Sequence, residues 1–177
     1  MLIFLSGGSA SGKSALAEAA CCALPGDRIY IATMPVRDSE DRRKVARHHA
    51  LRAGRGFVDT LEMPGRLGAV PPGAIVLFEC LSTFTANRMF SGDPEPPEGW
   101  EAALWTELEE HLLSRPGHTV IVSAEVGCDG AGYDACTEAY RAVLTGLGRR
   151  LAAAADCAVE AVCGRAVVHK GTLPCGQ

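Results

Sequence analysis

Short apolar runs bounded by glycine, proline or charged residues recur along much of the chain. Residues 2–5 form the first run and end at a glycine-rich turn, and residues 119–123 form the best candidate for a second central strand. Runs that are apolar at every position are typical of strands buried on both faces of a parallel sheet. The pattern predicts three further strands, at residues 28–32, 57–61 and 73–78.

Between these runs the pattern becomes helical. Residues 13–22 are rich in alanine and leucine, and residues 38–53 are polar and charge-dense without glycine or proline. Residues 100–113 have one largely apolar face. That face is formed by Ala103, Leu104, Leu108, His111 and Leu112. The remaining predictions are helices at 82–90 and 133–155, loops at 91–99 and 127–132, and a closing hairpin of residues 157–162 and 166–169.

Strands that alternate with helices indicate an α/β fold, in which helices cover both faces of a mostly parallel sheet. The chain has 177 residues, of which 47% are hydrophobic, so we expect residues 1–177 to form one domain. A chain of this size buries about 70% of its unfolded surface. Its core therefore needs neither a structural metal nor disulfides.

Charge and cysteine spacing exclude several classes of protein. A formal net charge of -4 without a basic block argues against a nucleic-acid binder. No apolar run reaches the ~18 residues of a membrane span. The eight cysteines include no CxxC pair and no Cys/His cluster with zinc spacing, and most lie in apolar runs as small buried hydrophobes do. We expect a cytoplasmic protein with free thiols.

The turn after the first strand carries the most specific motif of the chain. It fits GxxxxGK[ST] and lies between a predicted strand and a predicted helix, as a phosphate-binding loop does. Glycines let backbone N–H groups turn toward a polyphosphate, and the helix adds its positive N-terminal end. In such a loop Lys13 reaches the β- and γ-phosphates and Ser14 ligates Mg²⁺. The nucleotide-binding loop comprises Gly7, Gly8, Ser9, Ala10, Ser11, Gly12, Lys13 and Ser14.

This loop occurs in kinases, ATPases, GTPases and motors alike. At 177 residues the chain has little room for a motor or for a switch with accessory domains. A small-molecule kinase fits the length better. The alternative, an incidental Gly/Ser turn, is disfavoured by the position of the motif between strand and helix.

Phosphate-loop enzymes hold their metal with an acidic residue at the end of a neighbouring strand. Glu79 follows the apolar run 75–78 and is the first candidate, for nucleotide and for metal. Glu125 follows the run 119–124 and so occupies a similar position. The carboxyl ends of parallel strands are where α/β sheets place ligands. The alternative for each is a solvated carboxylate at a strand end.

Lys44, His48 and Arg52 are spaced four residues apart and share one face of the predicted helix 38–53. Neighbouring cations favour the neutral form of a histidine, and a neutral imidazole can act as a nucleophile. The alternative is a solvated helix face, which is the common origin of a basic stripe. His49 is a competing candidate.

Taken together, these segments resemble the bifunctional adenosylcobinamide kinase/adenosylcobinamide-phosphate guanylyltransferase family of cobalamin biosynthesis. The phosphate loop is followed by the strand Tyr30-Ile31-Ala32-Thr33. Lys44-Val45-Ala46-Arg47-His48-His49-Ala50-Leu51-Arg52 is similar to the family's Arg-Ile-x-x-His-x-x-x-Arg helix, with Lys44 in place of the first arginine. The similarity continues in Glu62, in Glu79-Cys80-Leu81-Ser82 with Asn87, and in Val120-Ile121-Val122-Ser123-Ala124-Glu125-Val126-Gly127.

The resemblance implies two activities at one nucleotide site. A nucleoside triphosphate, ATP or GTP, phosphorylates the aminopropanol hydroxyl of adenosylcobinamide with help from Lys13 and Mg²⁺. GTP then guanylylates His48, and the phosphate of adenosylcobinamide phosphate displaces the histidine to give adenosylcobinamide-GDP. The resemblance also implies a RecA-like sheet, a trimer, and metal ligation by Ser14 and Glu79. The nucleotide contacts that it implies outside the loop are Thr33, Met34, Arg52, Glu62 and Glu79.

The chain departs from the family pattern mainly in its last third. Cys128-Asp129-Gly130-Ala131-Gly132-Tyr133 and Glu138 stand where the family has Gly-x-x-Pro-Glu and then an arginine, and Gly148-Arg149 replaces an Asn-Gln pair. Two extra residues lie between Arg52 and Glu62. Two alternatives therefore stay open: a phosphate-loop kinase for another small hydroxylated metabolite, and a nucleotide-binding regulatory protein without turnover.

Overall fold

The computed structural model describes residues 1–36, 43, 46, 52, 54–91, 99–127 and 132–174. In chain order its elements are β1 (Leu2–Gly7), α1 (Lys13–Ala23), β2 (Arg28–Ala32), β3 (Phe57–Glu62), β4 (Ile75–Glu79), α2 (Leu81–Phe90), α3 (Trp100–Leu108), β5 (His118–Ala124), α4 (Ala135–Ala154), β6 (Cys157–Val162) and β7 (Arg165–Lys170). The predicted helix 100–113 continues beyond α3 as one wide π-helical turn, Glu109–Leu113.

The strands form a seven-stranded sheet in the order β3-β2-β4-β5-β1-β6-β7. β1 to β6 pair in parallel, and β7 pairs antiparallel to β6 at one edge. This confirms the mostly parallel α/β sheet and the closing hairpin. β5 and β1 lie inside the sheet, as their central apolar residues, 120–122 and 2–5, indicate. The carboxyl ends of the six parallel strands therefore share one edge.

Helices cover both faces of this sheet in three layers. α1 packs Ala17, Ala20 and Cys21 on one face, against the side chains of β1, β4 and β5 that point the same way. α2, α3 and α4 cover the other face, where the Phe78 and Phe84 rings meet edge to face with centroids 5.5 Å apart. Each fully buried large apolar side chain contributes about 1.5–3 kcal/mol. Two separate apolar clusters thus hold α1 and the opposite helices in place.

The apolar face predicted for residues 100–113 is correct at its centre and wrong at one edge. Leu104, Leu108 and Leu112 are buried, whereas Ala103 is exposed and His111 is half-buried. These leucines recur every four residues, so they keep one side toward the sheet. Ala103 lies one position away, which turns it toward solvent.

The expectation that most cysteines are buried is wrong for the described part of the chain. Cys21 and Cys157 are buried, Cys80 is partly buried, and Cys22, Cys136 and Cys163 are exposed. The exposed ones lie on outer helix faces or in the last turn, where an apolar neighbourhood in sequence does not mean burial. None of these six forms a disulfide. Burial raises the pKa of the Cys21 thiol to about 12.

Several predicted segments lie partly or wholly outside the described residues. Of the predicted helix 38–53, Arg43, Ala46 and Arg52 are described, and all three are helical. Residues 92–98 and 128–131 of the two predicted loops are outside the description. Within the described ranges, no helix is both long and apolar enough to cross a membrane.

The turn between β6 and β7 braces the nucleotide-binding loop. The Gly164 N–H donates to the Ser11 carbonyl at 2.8 Å, and a Cβ placed on Gly12 would lie 3.0 Å from the Gly164 Cα. A Cβ on Gly7 would lie 2.6 Å from the Ala161 carbonyl oxygen. The hairpin that closes the sheet therefore fixes the loop from its far side, which leaves room only for glycine at these two positions.

Two single substitutions, Gly12→Ala and Gly73→Ala, distinguish the effect of the Gly164 contact from the effect of backbone strain. Both glycines have positive φ, +92° and +80°, where a Cβ destabilises by about 1–2 kcal/mol. A Cβ at Gly73 meets nothing within 4 Å. We expect both variants to lower the free energy of unfolding, and Gly12→Ala to lower it more because its Cβ also presses on Gly164. Only Gly12→Ala is expected to weaken nucleoside triphosphate binding, by about tenfold or more. Equal affinity of both variants in titration calorimetry would refute the bracing role.

Candidate active site

Parallel pairing brings the strand ends of the sheet to one edge. Ala32 is in register with Glu62 on one side and with Glu79 on the other, and Gly7 is in register with Ala124. The nucleotide-binding loop follows Gly7 at this edge and runs directly into α1. The predicted candidates at the ends of β1, β2, β3 and β4 therefore lie along the same edge of the sheet.

The loop has the backbone of a phosphate cradle. Gly12 adopts positive φ, as does Ala10 at 55°, so the chain turns tightly before the first residue of α1. Lys13 Nζ donates to the Gly8 carbonyl at 2.5 Å, which keeps the ammonium group at the loop. The Ser11 hydroxyl is buried and has no hydrogen-bond partner among the described residues. Free polar groups and a helix N-terminus thus converge at this loop, which suits an anionic ligand.

The Glu79 carboxylate meets this loop from the end of β4. The Ser14 hydroxyl, in the first turn of α1, donates to Glu79 Oε1. The Tyr30 hydroxyl donates to Glu79 Oε2 at 3.2 Å. Both carboxylate oxygens are therefore held by side chains from two other elements. Burial and the neighbouring Glu79 carboxylate raise the pKa of Tyr30, so the phenol keeps its proton at neutral pH.

The chemistry of this pair fits a magnesium ion. Mg²⁺ takes oxygen ligands and is commonly bound by one or two carboxylates together with substrate phosphates. Ser14 and Glu79 offer a hydroxyl and a carboxylate beside the cradle. Among the described residues no group of three or more His, Cys, Asp or Glu side chains could hold a metal alone. Substrate phosphates and water commonly supply the other ligands of a magnesium ion bound in this way.

Arg52 is buried, not solvated as a basic helix face would be. It is 4% exposed, and its guanidinium lies over the Tyr30 ring, 3.4 Å from the centroid. Its Nη1 has no hydrogen-bond partner within the described part of the chain. The other members of the predicted stripe, Lys44 and His48, and the competing His49 lie outside the described residues. The structure thus connects one end of this stripe to Glu79 through Tyr30.

Thr33 joins the end of β2 to the start of α2. Its hydroxyl donates to the Cys80 carbonyl at 3.0 Å and accepts from the Cys80 N–H at 2.7 Å, and the residue is 1% exposed. Asn87 Nδ2 donates to the Thr33 carbonyl at 2.8 Å. These contacts give Thr33 and Asn87 a structural role at the site. Nucleotide contacts by Thr33 and by the half-buried Met34 stay predictions.

The other two carboxylates at this edge occupy different places. Glu62 ends β3, is exposed, and is separated from Gly7 by four strand spacings, roughly 19 Å. Glu125 follows β5, is exposed, and its N–H donates to the Gly7 carbonyl at 3.0 Å. Glu79 alone among these three contacts the phosphate-loop helix in the structure. Its place as first candidate is therefore supported by geometry, whereas a nucleotide contact by Glu62 stays a prediction.

Sequence reasoning missed two residues at this edge. The sequence pattern places Tyr30 only in a strand, although a tyrosine in a buried strand needs a partner for its hydroxyl. Arg141 on α4 donates to the Gly127 carbonyl and to Glu138 Oε1, both at 2.7 Å. Glu138, which stands at the family's arginine position, thus pairs with an arginine one turn later. Arg141 fixes the start of the loop that follows β5.

Comparison with solved structures supports the fold. An ATPase from the type III secretion system of pathogenic bacteria aligns with a TM-score of 0.53 at 16% identity, covering 90% of this chain and 50% of the other. At this identity the likeness concerns the fold alone. It agrees with a phosphate-loop NTPase sheet.

Comparison with protein families and curated proteins is more specific. A family model for cobinamide kinase / cobinamide phosphate guanyltransferase matches residues 3–168. The bifunctional adenosylcobalamin biosynthesis protein CobU is 30% identical in Salmonella typhimurium and 31% identical in Escherichia coli, in each case covering 88% of this chain and 92% of the relative. The bifunctional adenosylcobalamin biosynthesis protein CobP of Pseudomonas aeruginosa is 35% identical, covering 68% of this chain and 69% of the relative. The chain belongs to the cobinamide kinase / cobinamide phosphate guanyltransferase family.

Proposed function

We propose that this protein phosphorylates the terminal hydroxyl of cobinamide, in its adenosylated form, and then transfers GMP from GTP to the new phosphate. The observation that carries this proposal is the contact between Ser14 in the nucleotide-binding loop and Glu79 at the end of β4. It joins a phosphate cradle to a carboxylate, which is the arrangement that phosphoryl transfer requires. Membership of the family supplies the acceptor class.

In the kinase step the residues of this chain bind and orient the nucleotide. Backbone N–H groups of the loop receive the phosphates, and Lys13 exchanges the Gly8 carbonyl for phosphate oxygens. Ser14 and Glu79 would hold Mg²⁺, whose charge offsets that of the phosphate oxygens. The acceptor hydroxyl oxygen attacks the γ-phosphorus, and the bond to the β–γ bridging oxygen breaks. That oxygen leaves with the electron pair as part of the nucleoside diphosphate, and the proton of the acceptor hydroxyl passes to water.

In the second step His48 serves as the nucleophile. Its imidazole nitrogen attacks the α-phosphorus of GTP, and pyrophosphate leaves with the electron pair. The acceptor phosphate then attacks the same phosphorus and releases the histidine, so one difficult transfer becomes two easier ones. The position of Arg52 supports the assignment of this step to the same site. Arg52 follows His48 by four residues, and its buried guanidinium stacks on Tyr30, whose hydroxyl donates to Glu79. His48 itself is assigned from the sequence.

The guanylyl-enzyme can be detected directly. Incubation with α-labelled GTP is expected to leave an acid-labile, base-stable label on the protein, as a phosphoramidate does. His48→Ala should abolish the label, whereas His49→Ala should retain it and serves as the matched control. Peptide mapping by mass spectrometry locates the modified residue.

The two alternative functions give different results in this experiment. A kinase for another metabolite would take no label yet would turn over nucleoside triphosphate with its own acceptor. A regulatory protein would bind GTP without label or turnover. Label that survives His48→Ala would contradict the proposed nucleophile.

An apolar groove at the same edge suits the body of the acceptor. It has a volume of about 440 Å³ and is lined by Pro35, Pro64, Ala86 and Phe90, with Asn87 at its wall. None of the described residues that line it is charged, and Phe90 is 55% exposed. Asn87 connects the groove to the site, because it bonds the Thr33 carbonyl and the Thr33 N–H bonds the Glu79 carbonyl. We propose that part of the corrin ring, a largely apolar body with amides at its rim, lies here.

Filling this groove is expected to weaken acceptor binding alone. Ala86→Trp should raise KM for cobinamide about tenfold or more and leave KM for the nucleotide unchanged, since loss of uniform binding raises KM without lowering kcat. Ala102→Trp, at an exposed position of α3, is the control. Steady-state kinetics with each substrate varied separately measures both constants. An unchanged KM for cobinamide in Ala86→Trp would place the ring elsewhere.

A further inference from the structure

We propose that Tyr30 is a positioning residue that couples the metal carboxylate Glu79 to Arg52, the end of the segment that carries His48. This inference rests on the proposed function for its two half-reactions. It assigns a role to a side chain that neither the phosphate-loop motif nor the stripe of cations includes. Its support is the pair of contacts that Tyr30 makes with its hydroxyl and with its ring.

The first contact fixes the Glu79 carboxylate. Ser14 occupies Oε1 and the Tyr30 hydroxyl occupies Oε2 at 3.2 Å, so rotation of the carboxylate would break at least one hydrogen bond. Hydrogen bonds to charged groups are stronger than those between neutral groups. A metal that approaches Ser14 therefore meets a carboxylate already held in one orientation by Tyr30.

The second contact fixes Arg52. Its guanidinium lies 3.4 Å from the centroid of the Tyr30 ring, and both side chains are buried, at 4% and 6% exposure. A guanidinium in van der Waals contact with an aromatic face is held in plane by stacking and by the cation–π attraction. Arg52 Nη1 has no hydrogen-bond partner among the described residues, so the stacked guanidinium keeps one unused N–H donor. Tyr30 thus sets the plane in which Arg52 presents that donor.

The two contacts use different parts of one rigid ring. Displacement of the Tyr30 hydroxyl at the metal carboxylate moves the ring beneath Arg52, and displacement of Arg52 moves the hydroxyl. Tyr30 also packs in the apolar cluster with Ile75 and Leu77. Those apolar contacts need neither the hydroxyl nor a cation on the ring face. The coupling role requires the hydroxyl and the ring face as well.

Tyr30→Phe isolates the hydroxyl, and Tyr140→Phe is its matched control. Tyr140 is also a buried tyrosine, 8% exposed, and its hydroxyl donates to the Ser82 carbonyl at 2.9 Å on the opposite face of the sheet. Both variants lose one hydroxyl that makes one hydrogen bond. A general loss of stability would affect them alike, whereas loss of carboxylate positioning concerns Tyr30 alone.

The measurement is the binding of a non-hydrolysable GTP analogue by titration calorimetry, at a series of Mg²⁺ concentrations and in EDTA. We expect Tyr30→Phe to need about tenfold more Mg²⁺ for half-maximal binding, and to bind the analogue in EDTA like the unmodified protein. Tyr140→Phe should match the unmodified protein in both conditions. Equal Mg²⁺ dependence in Tyr30→Phe and Tyr140→Phe would overturn the role of the hydroxyl.

Tyr30→Leu removes the ring face as well and tests the Arg52 contact. We expect labelling of the protein by α-labelled GTP, at saturating Mg²⁺, to fall severalfold in Tyr30→Leu and to persist in Tyr30→Phe. Equal labelling of both variants at saturating Mg²⁺ would overturn the coupling to Arg52. If Tyr30→Leu does not fold, Arg52→Lys, which keeps the charge but loses the planar stack, replaces it with the same expected fall.

These results are independent of the corrinoid. If the Mg²⁺ dependence shifts in Tyr30→Phe but cobinamide is not phosphorylated, the carboxylate-positioning part of the inference stands and the proposed function fails. If cobinamide turns over and the Mg²⁺ dependence does not shift, the proposed function stands and the role of the Tyr30 hydroxyl fails.

Discussion

The contact between Ser14 and Glu79 is the interaction on which the site depends, because it joins two elements that the sheet order keeps apart. β5 lies between β4 and β1, so the end of β4 and the start of the nucleotide-binding loop are not neighbours in the sheet. α1 crosses this gap, since it packs on β5, β4 and β1 together. Its first turn thereby carries Ser14 over to Glu79. The small residues Ala17, Ala20 and Cys21 let the helix lie close enough for this reach.

Around this contact, each neighbouring element contributes a bond that limits movement. Tyr30 of β2 holds the second oxygen of Glu79, and Thr33 ties β2 to the start of α2. The β6–β7 turn bonds the loop from the opposite side through Gly164. A site built on strand ends and held in this way is organised before a ligand arrives, which favours phosphoryl transfer because the reaction depends on positioning.

The sequence was sufficient for features that are encoded locally. Apolar runs located the strands, and the motif from Gly7 to Ser14 fell between β1 and α1 as expected. Glu79 could be named because a charge directly after a buried strand must lie at the sheet edge. Arg52 could not be placed, because a polar helical segment gives no periodicity from which burial could be deduced. The bracing by Gly164 was also out of reach, since it brings together residues more than 150 positions apart that share no pattern.

The central claim is that Ser14 and Glu79 hold a metal ion beside the nucleotide. Manganese tests it most directly, because it replaces magnesium and scatters X-rays anomalously. A crystal structure with Mn²⁺ and a non-hydrolysable GTP analogue should show the ion bonded to Ser14 Oγ, with Glu79 as a ligand directly or through one water. Phosphate oxygens of the analogue should complete its coordination. An anomalous peak at Glu62 or Glu125, or bound analogue without an ion at Ser14, would contradict the account.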